Sequence, residues 1–318
     1  MKRKKLSVII LTYNSSRTII KCLDSLKNQS DKRFEVLIVD DDSTDNTLAL
    51  IKKNINKYPF EIRLFRNGQH NISIGRNIGI INANSKMISF LDSDAYARNT
   101  WIEKIIERFE KDKSIFLIGG KFNPTYKTNF SKVVSISDET IRDFFASDVT
   151  KVSGCNMAIR KSKLRTFLFD ECFKHAEDVE FVSRVGKKHK YIYDSEIEVD
   201  HESRSYPKQY VKQLYKYGLW KVYFMFITKN SRYIDFIPTA IIIFSTIFSV
   251  WYPFLLIALP LFSFMEALFI LLYRKLNIKL FPHLFLGWLL KNFAWGLGTL
   301  VGLINVVLNT SDYKTLSK

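Results

Sequence analysis

The sequence predicts an α/β domain built on a mostly parallel sheet, followed by an α-helical membrane module. Three observations carry that expectation. Apolar runs of strand length alternate with segments of helical periodicity across residues 6–119, the pattern of repeated strand-helix-strand units. Three polar or acidic loops, residues 12–14, 40–45 and 92–94, each follow such a run, so they fall at the carboxyl ends of strands, where open α/β sheets bind ligands. Two apolar stretches, residues 234–273 and 281–308, are long enough to cross a bilayer, which takes about 20 mostly apolar residues.

Taken in order, residues 6–11 form a continuous apolar run that suits a central parallel strand, ended by Thr12, Tyr13 and Asn14. Ile19, Ile20, Leu23 and Leu26 then share one helical face. Residues 34–39 give a second strand, and Ser43, Thr44 and Asp45 are natural N-caps for a helix through Leu48, Leu50 and Ile51. A short strand at 62–65, a helix at 73–83 and a strand at 87–91 follow. Thr100 and Glu103 have capping-box spacing for a helix running to Phe109, and 114–119 is strand again.

The apolar stretch 234–273 carries only Asp235 and Glu266 and is interrupted by Trp251-Tyr252-Pro253, so two helices are expected, near 236–250 and 254–273. Arg274, Lys275 and Lys279 make a positive loop, which places it and the preceding domain on the cytoplasmic side and is expected to attract phosphate groups at the membrane surface. A third span, about 283–308, contains Gly296, Gly298 and Gly302 for close helix packing, and three spans put the C-terminus outside. Glu266 and Lys291 fall at similar depths on antiparallel neighbours and are expected to pair. Residues 206–233 are basic and aromatic; a helix over 208–222 would carry Val211, Leu214, Tyr215 and Val222 on one stripe, flanked by lysines, as on a membrane surface. The expected domains are therefore 1–205, 206–233, 234–308 and a short tail, 309–318.

A composition of 47% hydrophobic and 14% aromatic residues excludes a disordered tail protein. The net charge of +17 comes with no nucleic-acid-binding motif, so an anionic membrane is the expected partner and nucleic acid is not. Cys22, Cys155 and Cys172 are odd in number and widely spaced, which points away from disulfides and zinc and toward a reducing compartment. Residues 6–11 are too short for a signal-peptide core, so export of the domain is not expected. Neither a P-loop nor a dinucleotide-binding glycine pattern is present.

Asp92-Ser93-Asp94, directly after an apolar strand, puts two carboxylates where a divalent cation and a diphosphate could be held together. The ordered set SVIILTYN, VDDDSTDNT, GRNIGI, FLDSDA, GCNMAIRKS, FDECF and HAEDVEF resembles the family 2 glycosyltransferases, which have a GT-A nucleotide-sugar-binding fold. The resemblance covers most of residues 6–201. It implies that Thr12, Tyr13, Asn14 and Asp41 lie around the nucleotide, that Arg76, Asn77, Asp92 and Ser93 serve the donor pocket, and that Asp94, Asp92 and His201 hold Mn2+ or Mg2+. Asp178, with Glu177 beside it, is implied as the catalytic base, and Gly154, Asn156 and Arg204 as lining the donor-sugar or acceptor side.

One departure is Asp42, where the family usually has Gly; Asp tolerates the left-handed backbone better than most residues. The implied reaction is inverting transfer from a nucleotide diphosphate sugar, UDP-sugar favoured, to a lipid-linked or membrane-bound saccharide. Direct transfer to a polyprenyl phosphate and a catalytically silent nucleotide-sugar-binding scaffold are the alternatives.

Overall fold

The computed structural model describes residues 4–145, 151–161, 168–228 and 233–308; the expected tail lies outside them. The chain divides into two compact units, residues 1–124 with 146–202 and residues 125–145 with 203–318.

In the first unit the strands are β1 (Leu6–Thr12), β2 (Phe34–Asp40), β3 (Ile62–Arg66), β4 (Met87–Leu91), β5 (Ala95–Ala97), β6 (Ile115–Thr125), β7 (Asn156–Arg160) and β8 (Lys190–Glu202). The helices are α1 (Ile19–Lys27), α2 (Thr47–Asn54), α3 (Ile72–Asn82), α4 (Trp101–Lys111) and α6 (Glu177–Gly186), and α5 (Asn129–Phe145) belongs to the second unit. One eight-stranded sheet runs in the order β3-β2-β1-β4-β7-β6-β8-β5. The half that carries the three loops, β3-β2-β1-β4, is parallel as expected. β7 pairs antiparallel with both β4 and β6, and β5 antiparallel with β8, so the sheet is mixed rather than mostly parallel. The reason is in the connection. Parallel neighbours need a crossover helix on the sheet, and α5, the long helix described between β6 and β7, belongs to the other unit.

The alternation of a strand explains the two core layers. Leu6, Val8 and Ile10 of β1 meet Ile19, Leu23 and Leu26 of α1 and Trp101, Ile102 and Ile105 of α4. Ile9 points to the other face, with Ile80 of α3 and Phe181 and Val185 of α6. Each such burial contributes about 1.5–3 kcal/mol. Local signals differ in detail from expectation. Thr100 makes no side-chain cap bond, so the capping box is not formed. Asp45 caps α2 by accepting from Thr47 N at 2.9 Å, and Asn71 caps α3 by accepting from Ser73 N and Ile74 N.

The second unit contains α5, α7 (Pro207–Thr228), α8 (Ile237–Phe248), α9 (Ala258–Tyr273) and α10 (Phe281–Val307). Two helical segments are long and apolar enough to cross a membrane, Pro253–Tyr273 and Ile278–Val307, while α8 is shorter. Leu256, Leu261, Met265, Phe269 and Leu272 are more than half exposed, so the first of these segments is not a soluble core helix. The expected glycine packing is present: a Cβ on Gly298 would press on the backbone of Tyr215 and Leu219, so α10 lies directly against α7. The helix expected on a membrane surface is therefore packed along one of the apolar helices.

The expected Glu266–Lys291 pair is not formed. Glu266 accepts from Asn292 Nδ2 at 2.5 Å, while Lys291 lies 4.0 Å from Asp138 and over the Trp288 ring. A closer amide on α10 and a carboxylate from α5 take the two charges apart. Arg274, expected to face an anionic ligand, donates to Thr140 Oγ1 at 2.7 Å and Asp143 Oδ2 at 2.6 Å, again on α5.

Candidate active site

The site is assembled from strand ends of the first unit. At the end of β1, Thr12 donates to Asp40 Oδ1 at 2.9 Å, and Asn14, at φ 49°, accepts from Thr44 N at 2.8 Å and Asp45 N at 3.2 Å. Asp40 is buried and also accepts from Ser43 N and Oγ, so it builds the acidic loop rather than facing a ligand. Tyr13 is exposed beside this loop, and Asp41 accepts from His70 N at 2.9 Å. Thr12 and Asn14, expected around the nucleotide, use these atoms to hold the loop, while Tyr13 and Asp41 stay accessible.

Asp42 has φ 58°, the left-handed backbone that its glycine-like position demands, and it is paired with Arg66. Ser15 Oγ lies 2.8 Å from Ser93 Oγ, tying the β1 loop to the Asp92–Asp94 loop.

After β4, Asp92 Oδ2 and Asp94 Oδ1 approach His201 Nε2 at 3.8 and 3.3 Å. His201 reaches them because Ala95 of β5 pairs with it across the ladder to β8. Burial alone would lower the imidazole's pKa, but contacts with Asp92 and Asp94 raise it to about 10. A proton on the ring thus balances two carboxylates, the place a divalent cation would take. Two carboxylates and an imidazole form a donor set that suits Mn2+ or Mg2+, so these residues fit the ion. Asp92, Cys155 and His201 each offer a ligand atom, and these atoms lie within 4.8 Å of one another. Cys155 was not anticipated from sequence. Burial, Asp92, Asp178 and Asp94 push its thiol well above the usual range, which keeps it protonated and a poor ligand.

Asn156 at the start of β7 pairs with Leu91 at the end of β4, so the 154–155 segment, whose Gly154 amide holds Asp178, lies beside Asp92. Asp178 opens α6 after Ala176, which has φ 58°. That left-handed turn aims the carboxylate, and two backbone amides orient it: Gly154 N donates to Oδ2 and Val179 N to Oδ1, both at 2.8 Å. Only glycine fits at 154, because a Cβ would strike the Arg76 guanidinium and stand 3.2 Å from Asp178 Oδ2.

Arg76 is buried and donates to Glu177 Oε1 from Nε at 3.2 Å and to Gly154 O from Nη1 at 3.1 Å, with its guanidinium near the rings of both Phe90 and Phe169. Burial raises Glu177 to about 7; Arg76 opposes this, and Asp178 and Asp92 add to it.

Several of the residues expected near the donor make internal ties. Asn77 donates to Phe169 O and accepts from Phe169 N, both at 2.9 Å, fixing the 169–171 segment to α3. Arg76 likewise holds Glu177 and Gly154 in place. Asn156 accepts from Trp101 Nε1 and donates to the backbone carbonyls of Lys121 and Ile197, each at 2.8 Å, so it joins α4, β6 and β8 inside the core. The Gly154 amide is directed at Asp178. Arg204 is exposed and lies in the second unit, past Glu202.

The comparisons bear on the family and the fold. The family model described as glycosyl transferase family 2 matches residues 7–168. The chain is 28% identical over 235 residues to the dolichyl N-acetyl-alpha-D-glucosaminyl phosphate 3-beta-D-2,3-diacetamido-2,3-dideoxy-beta-D-glucuronosyltransferase of Methanococcus voltae, covering 68% of this chain and 72% of that one. It is 37% identical over 94 residues to the poly(ribitol-phosphate) beta-N-acetylglucosaminyltransferase TarS of Staphylococcus aureus, covering 29% of this chain and 16% of that one.

Among solved structures it is similar to S. aureus TarS 1-349 in complex with UDP, with a TM-score of 0.53 and 18% identity over 96% of this chain and 92% of that one, which supports a GT-A-like fold. A family match over half of its length, on a sheet whose strand ends carry the converging carboxylates, makes the chain a member of glycosyl transferase family 2.

Proposed function

We propose that the protein transfers a sugar, with inversion, from a nucleotide diphosphate donor, UDP-sugar favoured, to a lipid-linked saccharide at a membrane. The observation that carries this reading is the placement of Asp178 beside the Asp92–Asp94 strand end: Asn156 of β7 pairs with Leu91, directly before Asp92, and the Gly154 amide two residues away donates to Asp178 Oδ2 at 2.8 Å. Transfer needs anionic groups for a cation at the leaving diphosphate and a separate carboxylate for the acceptor proton, and both sets are present. Asp92, Asp94 and His201 would hold Mn2+ or Mg2+, which when bound neutralises charge on the leaving diphosphate.

Asp178 takes the proton of the acceptor hydroxyl as its oxygen bonds to the anomeric carbon. The bond from that carbon to the diphosphate oxygen breaks, and the diphosphate leaves with the electron pair. Attack from the opposite face of the sugar inverts the anomeric centre. Gly154 and Val179 fix the base, and Arg76 fixes Gly154, so the proton acceptor is positioned before substrate arrives.

The TarS neighbour was solved with UDP, which supports the donor class, and the dolichyl-linked acceptor in the name of the archaeal relative supports a lipid-linked acceptor. The two long apolar helices support membrane association. Their Tyr273 end carries Arg274, Lys275 and Lys279, which favours a cytoplasmic catalytic domain.

The test is incubation of the full chain with a panel of nucleotide sugars, Mn2+ and lipid-linked saccharides, following nucleoside diphosphate release and product linkage. A β-linked product from an α-linked donor, lost in Asp94→Asn, is expected. Release of no diphosphate from any donor, or a retained α linkage, overturns the reading.

A further inference from the structure

His70 and the Asp42–Arg66 pair have no place in the chemistry above, yet they surround Asp41. The His70 ring meets the exposed Tyr13 ring edge-on, with centroids 5.6 Å apart and planes at 74°. Its backbone amide donates to Asp41 Oδ1 at 2.9 Å, and its Nδ1 lies 3.6 Å from Asp41 Oδ2. Its φ of 48° is a left-handed backbone that costs a non-glycine residue energy, so this placement is held from outside.

What holds it is a closed chain of contacts. Asp40 O accepts from Asn67 N at 2.8 Å. Arg66 pairs with Asp42 through both carboxylate oxygens. Gly68, at φ 66°, passes so close to Asp42 that a Cβ would stand 3.3 Å from Oδ2. Behind the pair, between α2 and β3, lies a cleft of about 610 Å³ lined by Leu48, Lys52, Leu64 and Arg66. The acidic loop therefore has open space on that side, and the ion pair is its brace.

We propose that His70 is a specificity-determining residue for the donor's nucleobase, forming a three-sided slot with Tyr13 and Asp41, and that Arg66 with Asp42 positions that slot. The inference rests on the nucleotide-diphosphate reading of the site. A planar base fits the chemistry of the slot, which offers two aromatic rings for stacking or edge contact and a carboxylate oxygen that accepts from a ring N–H. Glycine, at the position Asp42 occupies, would leave Arg66 without its partner. The ion pair replaces backbone freedom with a cross-link to the β3 end.

The test measures binding of UDP, CDP, GDP and ADP to the full chain with Mn2+, together with KM and kcat for the donor. His70→Asn keeps a residue that tolerates the left-handed backbone and removes the ring. It is expected to weaken the best-bound diphosphate about tenfold and to narrow the spread among the four. Arg66→Ala is expected to raise the donor KM about threefold to fivefold with kcat at saturation little changed, with partial recovery in Arg66→Lys and no further loss on adding Asp42→Gly. Variants that bind all four diphosphates as the wild type does would overturn this inference alone. Failure of the wild type to bind any of them would overturn the donor reading as well.

Discussion

Two buried glutamates in the same unit, each beside an arginine, have opposite fates. Glu35, near the amino end of β2, accepts from Ser7 Oγ at 2.6 Å, Asn84 N at 2.8 Å and Arg63 Nη2 at 3.0 Å. Burial alone would raise it, but these donors and the charges of Arg63 and Lys4 hold it below the usual carboxylate range. Glu177, at the start of α6, has Arg76 alone as its charged donor and two carboxylates, Asp178 and Asp92, as neighbours; burial and their repulsion lift it to about 7.

An arginine partner does not decide the ionisation of a buried carboxyl. The count of donors against like charges does. Where the sheet is tied together, the charge is satisfied. At the proposed site negative charge is crowded, the arrangement expected where a cationic ligand is to be met.

The strongest test of that division is Asp178→Asn. If crowded carboxylates serve chemistry, the amide should leave thermal unfolding close to wild type, because Oδ1 still accepts one backbone N–H, while turnover falls about 10²–10⁴-fold. Near-normal diphosphate release would return Asp178 to the role of a helix-capping side chain.

At the other end, Glu35→Ala should leave catalysis alone and cost about 3 kcal/mol of stability, since Arg63 and the Asn84 amide lose a buried anion. The sign with pH follows from the lowered pKa. Its contribution is fully present above the unfolded value of about 4.3 and is lost as pH falls through the folded value. Unfolding of wild type and mutant compared at neutral and acid pH should therefore converge as the solution is acidified. A gap that widens at low pH would contradict the assignment.

Gly154→Ala probes the tie between the buried and the exposed parts of the site. The added methyl meets the Arg76 guanidinium and Asp178 Oδ2, so it should cost about 1–3 kcal/mol and lower kcat with little change in donor affinity. Loss of donor binding instead would mean that Gly154 lines the donor pocket, as the sequence resemblance implies.

How much of this was legible in the sequence follows the physics of each signal. β1, β2 and β4 are buried on both faces and read as apolar runs, and the loops behind them are rich in Asp. β5 has three residues, and β7 is Asn-Met-Ala-Ile-Arg, too short and mixed to stand out. α5 carries a legible signal, since Phe130, Val133, Val134 and Ser137 have helical spacing, and it supplies Asp138, Thr140 and Asp143, which take Lys291 and Arg274 away from their expected roles.

In the site, the ordered motifs and the family resemblance pointed to Asp92, Asp94, Asp178 and His201, since aspartates at strand ends and helix starts are common as turn formers and caps. Residue type could not separate Arg76, Asn77 and Asn156, whose side chains turn inward, from residues that face a ligand. The left-handed Ala176 gave no sign, since alanine is not a residue that marks such turns.

The smallest effect tests the glutamate comparison at its weak side. Glu177→Gln keeps the shape and an oxygen that accepts from Arg76, and removes a charge that is only partly present near neutral pH. Because the folded pKa is raised to about 7, the favoured form in the folded protein is the protonated one. Its stability is fully present below the unfolded value of about 4.3 and declines as pH rises through 7.

Wild type should therefore come closest to the Gln variant in acid and fall behind it as the pH rises to 8, the opposite slope to Glu35. The measurement is thermal unfolding of both proteins from pH 5 to 8 in the presence of a chelator, so that no cation on Asp92 offsets the repulsion. If the Gln variant is the less stable protein at pH 8, Arg76 needs the full charge of Glu177, and the two buried glutamates are then structural pairs of the same kind.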